Sequence, residues 1–180
     1  MLLRREGWPV NHKRTARLYR QEGLNLRRKR PRHRKAAVTR SPSAAPTRRD
    51  ERWSMDFVHD QLHDGRRLRV LTVVDQYTRE ALATEARRSF SAHDVIGVLN
   101  RLSRYHRKPA MIQVDNAHIE WFSARLRAEC LNAHVFESLA DAEQTSTSWR
   151  SDYNAVRPHS ALGMLTPKEF AELGQENAGR

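Results

Sequence analysis

The sequence predicts an α/β fold, a mixed sheet with helices, preceded by a basic helical arm. Three observations predict it. Charge is segregated along the 180 residues: net +13 over positions 1–50 and −1 over positions 51–180. Between arm and body, positions 36–50 carry Pro42, Pro46, Ser41, Ser43 and several alanines, and read as a flexible linker with almost nothing to bury. Beyond the linker the apolar pattern gives three strands, a helix, a strand and then helices, the order of an α/β domain.

Taken in order, Asn11 is an acceptable N-cap for a short helix through Arg17, Leu18 and Tyr19, stopped by Gly23. Trp8, Val10, Leu18 and Leu24 supply a small apolar face. Arg27, Arg28, Lys29, Arg30, Arg32, Arg34 and Lys35 then place seven cations in nine positions, a pattern suited to phosphate contacts. Trp53-Ser54-Met55-Asp56-Phe57-Val58 alternates as a strand does, and Leu68 to Asp75 is a β-branched run after the Asp64-Gly65 turn, so the two predict a hairpin. Ala81 to Arg87 predicts a third strand. Ser91 with Asp94 opens a helix whose apolar face is Val95, Ile96, Val98, Leu99 and Leu102. Pro109 ends that region, and Ala110 to Asp115 predicts a fourth strand. Ile119, Phe122, Leu126 and Cys130 recur at helical spacing. Ser138 with Asp141 opens another helix, with Ala142, Thr145, Trp149 and Tyr153 on one stripe. Thr166-Pro167-Lys168-Glu169 is a capping box with proline at the first helical position.

Composition narrows the classes. The pI near 10.9 and net charge of +12 point to a polyanion partner, but only through the arm. A mean hydropathy of −0.82 and the absence of a long apolar run exclude a membrane-spanning helix, and the first residues lack a signal-peptide apolar region. The single cysteine, Cys130, excludes an intramolecular disulfide and a cysteine-rich zinc site, so the expectation is a reduced, cytoplasmic protein.

Asp56 and Asp115 sit in or at the ends of predicted strands, and Glu120 opens the helix that follows. Carboxylates so placed suit hard cations such as Mg²⁺ or Mn²⁺. The surrounding segments Trp53-Ser54-Met55-Asp56-Phe57, Thr72 to Arg79, Val114-Asp115-Asn116 and Glu129-Cys130-Leu131-Asn132 resemble the DDE transposases of bacterial insertion sequences, of the second-frame (OrfB) type related to retroviral integrases. The tail, Trp149, Asp152-Tyr153-Asn154, Arg157-Pro158-His159-Ser160, Leu162-Gly163, Thr166-Pro167 and Phe170, carries the most specific part of the likeness. Arg4-Arg5-Glu6-Gly7-Trp8 through Arg30 looks like the helix-turn-helix segment that precedes such a core.

The resemblance implies a ribonuclease-H-like integrase core over 51–175, behind a DNA-binding arm over 1–35. It implies two Mg²⁺ or Mn²⁺ ions held by Asp56, Asp115 and Glu120, with these three residues catalytic in DNA strand cleavage and transfer. The implied partners are DNA, at element ends and target, and other transposase copies in an oligomer, on the nucleoid. Asp75 matches a recurrent aspartate outside the triad and reads as a strand-end or turn residue.

One spacing departs from the family. Only Asn116, Ala117, His118 and Ile119 separate Asp115 from Glu120, where the resemblance implies about 35 residues carrying a further helix and strand that bring the glutamate to the metal site. Both flanks match and the middle is missing, which predicts an internal deletion joined at or near Asn116, a core lacking one strand and one helix, apolar surface exposed by the loss, and impaired activity. The alternative is an inactive remnant that only binds DNA or interferes with intact transposase. Elsewhere, His59, Asp60, His63 and Asp64 read as a solvated hairpin loop, Cys130, Trp149 and Tyr153 as core, and His159 as either a structural turn or a DNA or active-site contact.

Overall fold

The computed structural model describes residues 12–22, 44–114 and 116–178. The chain divides into two compact units, 1–43 and 44–180. In the first, the predicted arm helix is present as α1, His12–Gln21, with Leu18 46% exposed. Trp8, Val10, Leu24 and the seven cations from Arg27 to Lys35 lie outside the described residues.

The second unit holds β1 (Arg52–Gln61), β2 (Arg67–Asp75), β3 (Ala81–Arg87), α2 (Ala92–Tyr105), β4 (Met111–Val114), α3 (Ala117–Leu126), α4 (Leu139–Val156) and α5 (Pro167–Ala178). The four strands form one sheet in the order β3-β2-β1-β4. β1 and β2 pair antiparallel from Trp53 opposite Asp75 to Gln61 opposite Arg67, and Gly65 takes a positive φ of 80° in the turn, where a side chain would be strained. β2 and β3 are antiparallel with a bulge at Val73/Val74. β4 runs parallel to β1, from Arg52 opposite Met111 to Met55 opposite Val114, after the helical crossover α2.

Because side chains alternate across a strand, β1 serves two cores. Trp53 is buried with Leu71, Val73, Leu82, Val98 and Leu102, and Met55 and Phe57 pack against that group, on the α2 side. Val58 joins Val70, Val74, Ile119, Phe122, Leu126, Tyr153 and others on the α3 and α4 side. Ser54 and Asp56 share the parity of Val58, which puts the Asp56 carboxylate on the face that α3 covers. Helix starts follow the predicted chemistry: Ser91 and Asp94 form a reciprocal capping box, and Thr166 and Glu169 form another, with backbone-to-side-chain bonds of 2.8 and 3.2 Å. α3 continues into a π-helical turn, Arg127–Leu131, closed by the N–H of Asn132 on the Arg127 carbonyl at 2.8 Å.

β4 is the short edge of the sheet. Its Met111, Ile112 and Val114 are 47%, 40% and 49% exposed.

Candidate active site

The site is built where α3 lies along β1. Three residues bond to β1 in step: the N-cap of α3, one residue within it and the first of the π-turn that follows. Asn116, the N-cap, bonds Ser54 through both its amide atoms, at 2.9 and 3.2 Å, while its oxygen also accepts the N–H groups of His118 and Ile119. The Ser123 hydroxyl donates to Asp56 Oδ2 at 2.8 Å. Arg127 donates to the His59 carbonyl at 3.1 Å. Glu120 falls on the same stripe, one turn before Ser123 and four residues after Asn116, because residues three and four apart share a helix face. The Glu120 side chain itself is solvent-exposed.

The Asp56 carboxylate is oriented at both oxygens: Oδ1 accepts the Phe57 N–H at 2.7 Å and Oδ2 the Ser123 hydroxyl. Each oxygen keeps a further lone pair for a cation. Below it a polar network joins four elements: Gln76 Nε2 donates to Ser54 Oγ and to Gln113 Oε1, both at 2.8 Å, and Ser54 bonds Asn116. Asp115 lies outside the described residues. Among the described residues no three acidic, histidine or cysteine groups are close enough to hold one metal ion. Asp56 and Glu120, two of the three residues named from the sequence as ligands, carry the oxygen-only donors that suit a hard divalent cation in kind.

Asp75 has the structural role read from the sequence. Its carboxylate accepts the N–H groups of Asp50, Tyr77 and Thr78 and the Thr78 hydroxyl, holding the β2–β3 turn. Burial pushes its carboxyl above the usual aspartate value, against these hydrogen bonds. Cys130 is fully buried in the core, and burial pushes its thiol up to about 11. His59, His63 and Asp64 are exposed around the hairpin, with Asp64 bonded to Arg66.

Two further groups stand beside α3, one that sequence reasoning missed and one that it left open. Arg79, in the β2–β3 turn, contacts His118 Nδ1. His159 packs edge-on against Trp121, with ring centroids 5.6 Å apart, and against Tyr153 at 5.2 Å. Burial, then Arg125, Arg79 and Arg157, lower the affinity of His159 for a proton, and burial and Arg79 do the same for His118. The signal available for Arg79 was its place at the end of the Thr72 to Arg79 motif.

A family profile described as "Integrase core domain" matches residues 108–167. The chain is 39% identical to the uncharacterized 31.7 kDa protein of insertion element IS407 from Burkholderia multivorans, over 94% of this chain and 72% of that protein. It is 34% identical to the uncharacterized 39.2 kDa protein of insertion element IS476 from Xanthomonas euvesicatoria, over 94% of this chain and 58% of that one. Each match spans 201 positions, whereas 94% of 180 residues is about 169, so about 32 aligned positions face no residue here. Among solved structures, the HTLV-2 integrase catalytic core domain, determined with magnesium in a dimeric form, superposes with a TM-score of 0.50 at 13% identity, over 68% of this chain and 94% of that one, a likeness of fold. The ribonuclease-H-like sheet and the long match to the IS407 protein agree: this chain belongs to the integrase-core family of insertion-element proteins.

Proposed function

We propose that the chain derives from a transposase whose reaction is divalent-metal-dependent phosphoryl transfer on DNA, strand cleavage followed by strand transfer. The observation that supports this reading is the in-step fastening of α3 to β1 at Ser54, Asp56 and His59, through residues at the same helical spacing as Glu120. Asp56, Asp115 and Glu120 would hold Mg²⁺ or Mn²⁺. When bound, two such ions activate the attacking oxygen and stabilise the leaving one. Ser123 and the Phe57 N–H fix the Asp56 carboxylate, and Asn116 fixes the first turn of α3. In this reading Arg27, Arg28, Lys29, Arg30, Arg32, Arg34 and Lys35 hold the DNA backbone, the working assembly contains more than one copy, and the protein acts on the nucleoid.

A second reading is an inactive remnant, and two observations favour it. About 32 aligned positions of the relatives have no counterpart here, and β4 exposes apolar side chains at the edge next to the short spacing. Both fit a segment lost at Asn116. Misplacing a reacting group by 1 Å costs about 100-fold in rate.

A Mg²⁺-dependent cleavage and strand-transfer assay on the element's ends separates the two. It compares the chain as it stands, Asp56→Asn, and a version with the IS407 protein's intervening segment inserted at Asn116. Activity in the unaltered chain that Asp56→Asn abolishes supports the enzyme. Activity only after insertion, higher by about 100-fold or more, supports the remnant. None in either would overturn the transposase chemistry.

A further inference from the structure

A cationic cluster lies on the α3 stripe next to the one that faces β1. His118, Trp121, Arg125 and Glu129 are spaced at three and four residues along it. Arg79 reaches it from the β2–β3 turn, and His159 from the loop after α4. Arg125 stacks on Trp121, with its guanidinium carbon 4.7 Å from the ring centre, and pairs with Glu129 at 2.9 Å. Glu129 also pairs with Arg157. Arg157 pairs in turn with Asp152 at 3.3 Å, so both of these arginines are met by carboxylates, whereas Arg79 has no carboxylate within ion-pair distance among the described residues.

Arg79 is unusual in a second way. Its φ of 63° lies in the left-handed region, where glycine or asparagine is at ease and a long cationic side chain is strained. A turn that needed only its shape would be served better by either. A half-buried guanidinium kept at such a position touches one imidazole and lies near another, and among the described residues it feels the Asp75 carboxylate only from beyond ion-pair distance, which leaves its donors open to an anion. Arginine offers planar paired donors that match phosphate oxygens, and the imidazole nitrogens add single donors.

We propose that Arg79, His118 and His159 form a seat for one phosphodiester of a DNA strand, beside the acidic site and separate from the basic arm. This rests on the phosphoryl-transfer reading for the identity of the strand, but not for the presence of an anion site. It also accounts for the tail motif Arg157-Pro158-His159. Arg157 anchors the loop to Glu129, Pro158 ends α4, and His159 is delivered between Trp121 and Tyr153.

The test is equilibrium DNA binding by the full chain in EDTA, so that no metal-dependent step contributes and a failed cleavage assay leaves it unaffected. A fluorescent mixed-sequence duplex is titrated across a range of salt with the unaltered chain, Arg79→Asn, Arg79→Lys, His159→Gln and Arg88→Met. Asparagine tolerates the positive φ, so Arg79→Asn removes the cation without a backbone penalty, and melting curves confirm that each variant folds. Arg79→Asn is expected to weaken binding about tenfold and to reduce the slope of log affinity against log salt by about 0.9. Arg79→Lys should keep the slope, His159→Gln should weaken binding by a smaller factor, and Arg88→Met, an exposed arginine elsewhere, should match the unaltered chain. If folded Arg79→Asn and His159→Gln both bind with unchanged affinity and slope, the proposal is overturned. Inorganic phosphate at constant ionic strength is the second arm. If it raises the melting temperature of the unaltered chain but not of Arg79→Asn, while both bind DNA equally, the seat belongs to free phosphate and the DNA assignment is overturned.

Discussion

Along β3, one edge of the sheet, the Asn154 side chain accepts the Ala81 N–H at 2.8 Å and donates to the Ala81 carbonyl at 2.9 Å, and Arg150 donates to the Leu82 carbonyl at 2.9 Å. Thr84 donates to the Ser146 carbonyl of the same helix, and Ala81 through Thr84 are buried. Along β4, the other edge, three of four side chains are apolar and 40–49% exposed, and the strand itself contains no charged residue. Sheet edges are normally kept from pairing with other chains by cover, charge or proline. α4 supplies that cover at β3, and the described residues supply none at β4. The difference teaches where cover is placed: the edge away from the acidic site is capped by a helix, and the described edge leading toward it is not.

The largest effect that would sharpen this contrast comes from matched truncations. Phe122, buried against Trp149 and Tyr153, should cost about 3–5 kcal/mol on Phe122→Ala in urea unfolding. Ile112→Ala should cost less than about 0.5 kcal/mol. Comparable losses would mean that β4 is covered in solution, and the contrast would break. Next comes the clamp itself. Asn154→Leu strands an N–H and a carbonyl at the β3 edge and should cost about 2 kcal/mol by the same measurement, and a loss near zero would show that water replaces the clamp. Smallest is a pH effect at the start of α2. Hydrogen bonds from the Ser91 side chain and backbone hold the Asp94 carboxyl below its ordinary value of 3.8. Its contribution is therefore present above that value and lost as pH falls through the lower folded-state value. Asp94→Asn should flatten the acid limb of stability against pH in that range and leave the neutral region little changed. An unaltered acid limb would refute the assignment.

The strands and most helix starts were legible because each depends on local chemistry. Two-residue alternation marked β1, a β-branched run marked β2, and Ser91 and Thr166 announced their helices. The structural role of Asp75 was legible for the same reason, since its partners lie within three residues apart from Asp50. Ser123 was not, because its bond to Asp56 depends on how α3 is rotated against β1, and nothing local sets that rotation. The Asn154 clamp and the Arg79–His118 contact join residues 73 and 39 positions apart and were hidden likewise. The π-turn at Arg127–Leu131 leaves no compositional mark, and Cys130 still falls on the buried side.

Asn116 fastens the start of α3 with one side chain. It ties backward to the sheet through Ser54 and forward to the helix through two N–H groups. A connection this short has almost no chain entropy to lose on closing. A gene shortened at that codon would therefore keep an unbroken path from strand to helix, with a ready helix start at the seam. The cost of such a shortening would fall on the exposed strand β4 rather than on chain continuity.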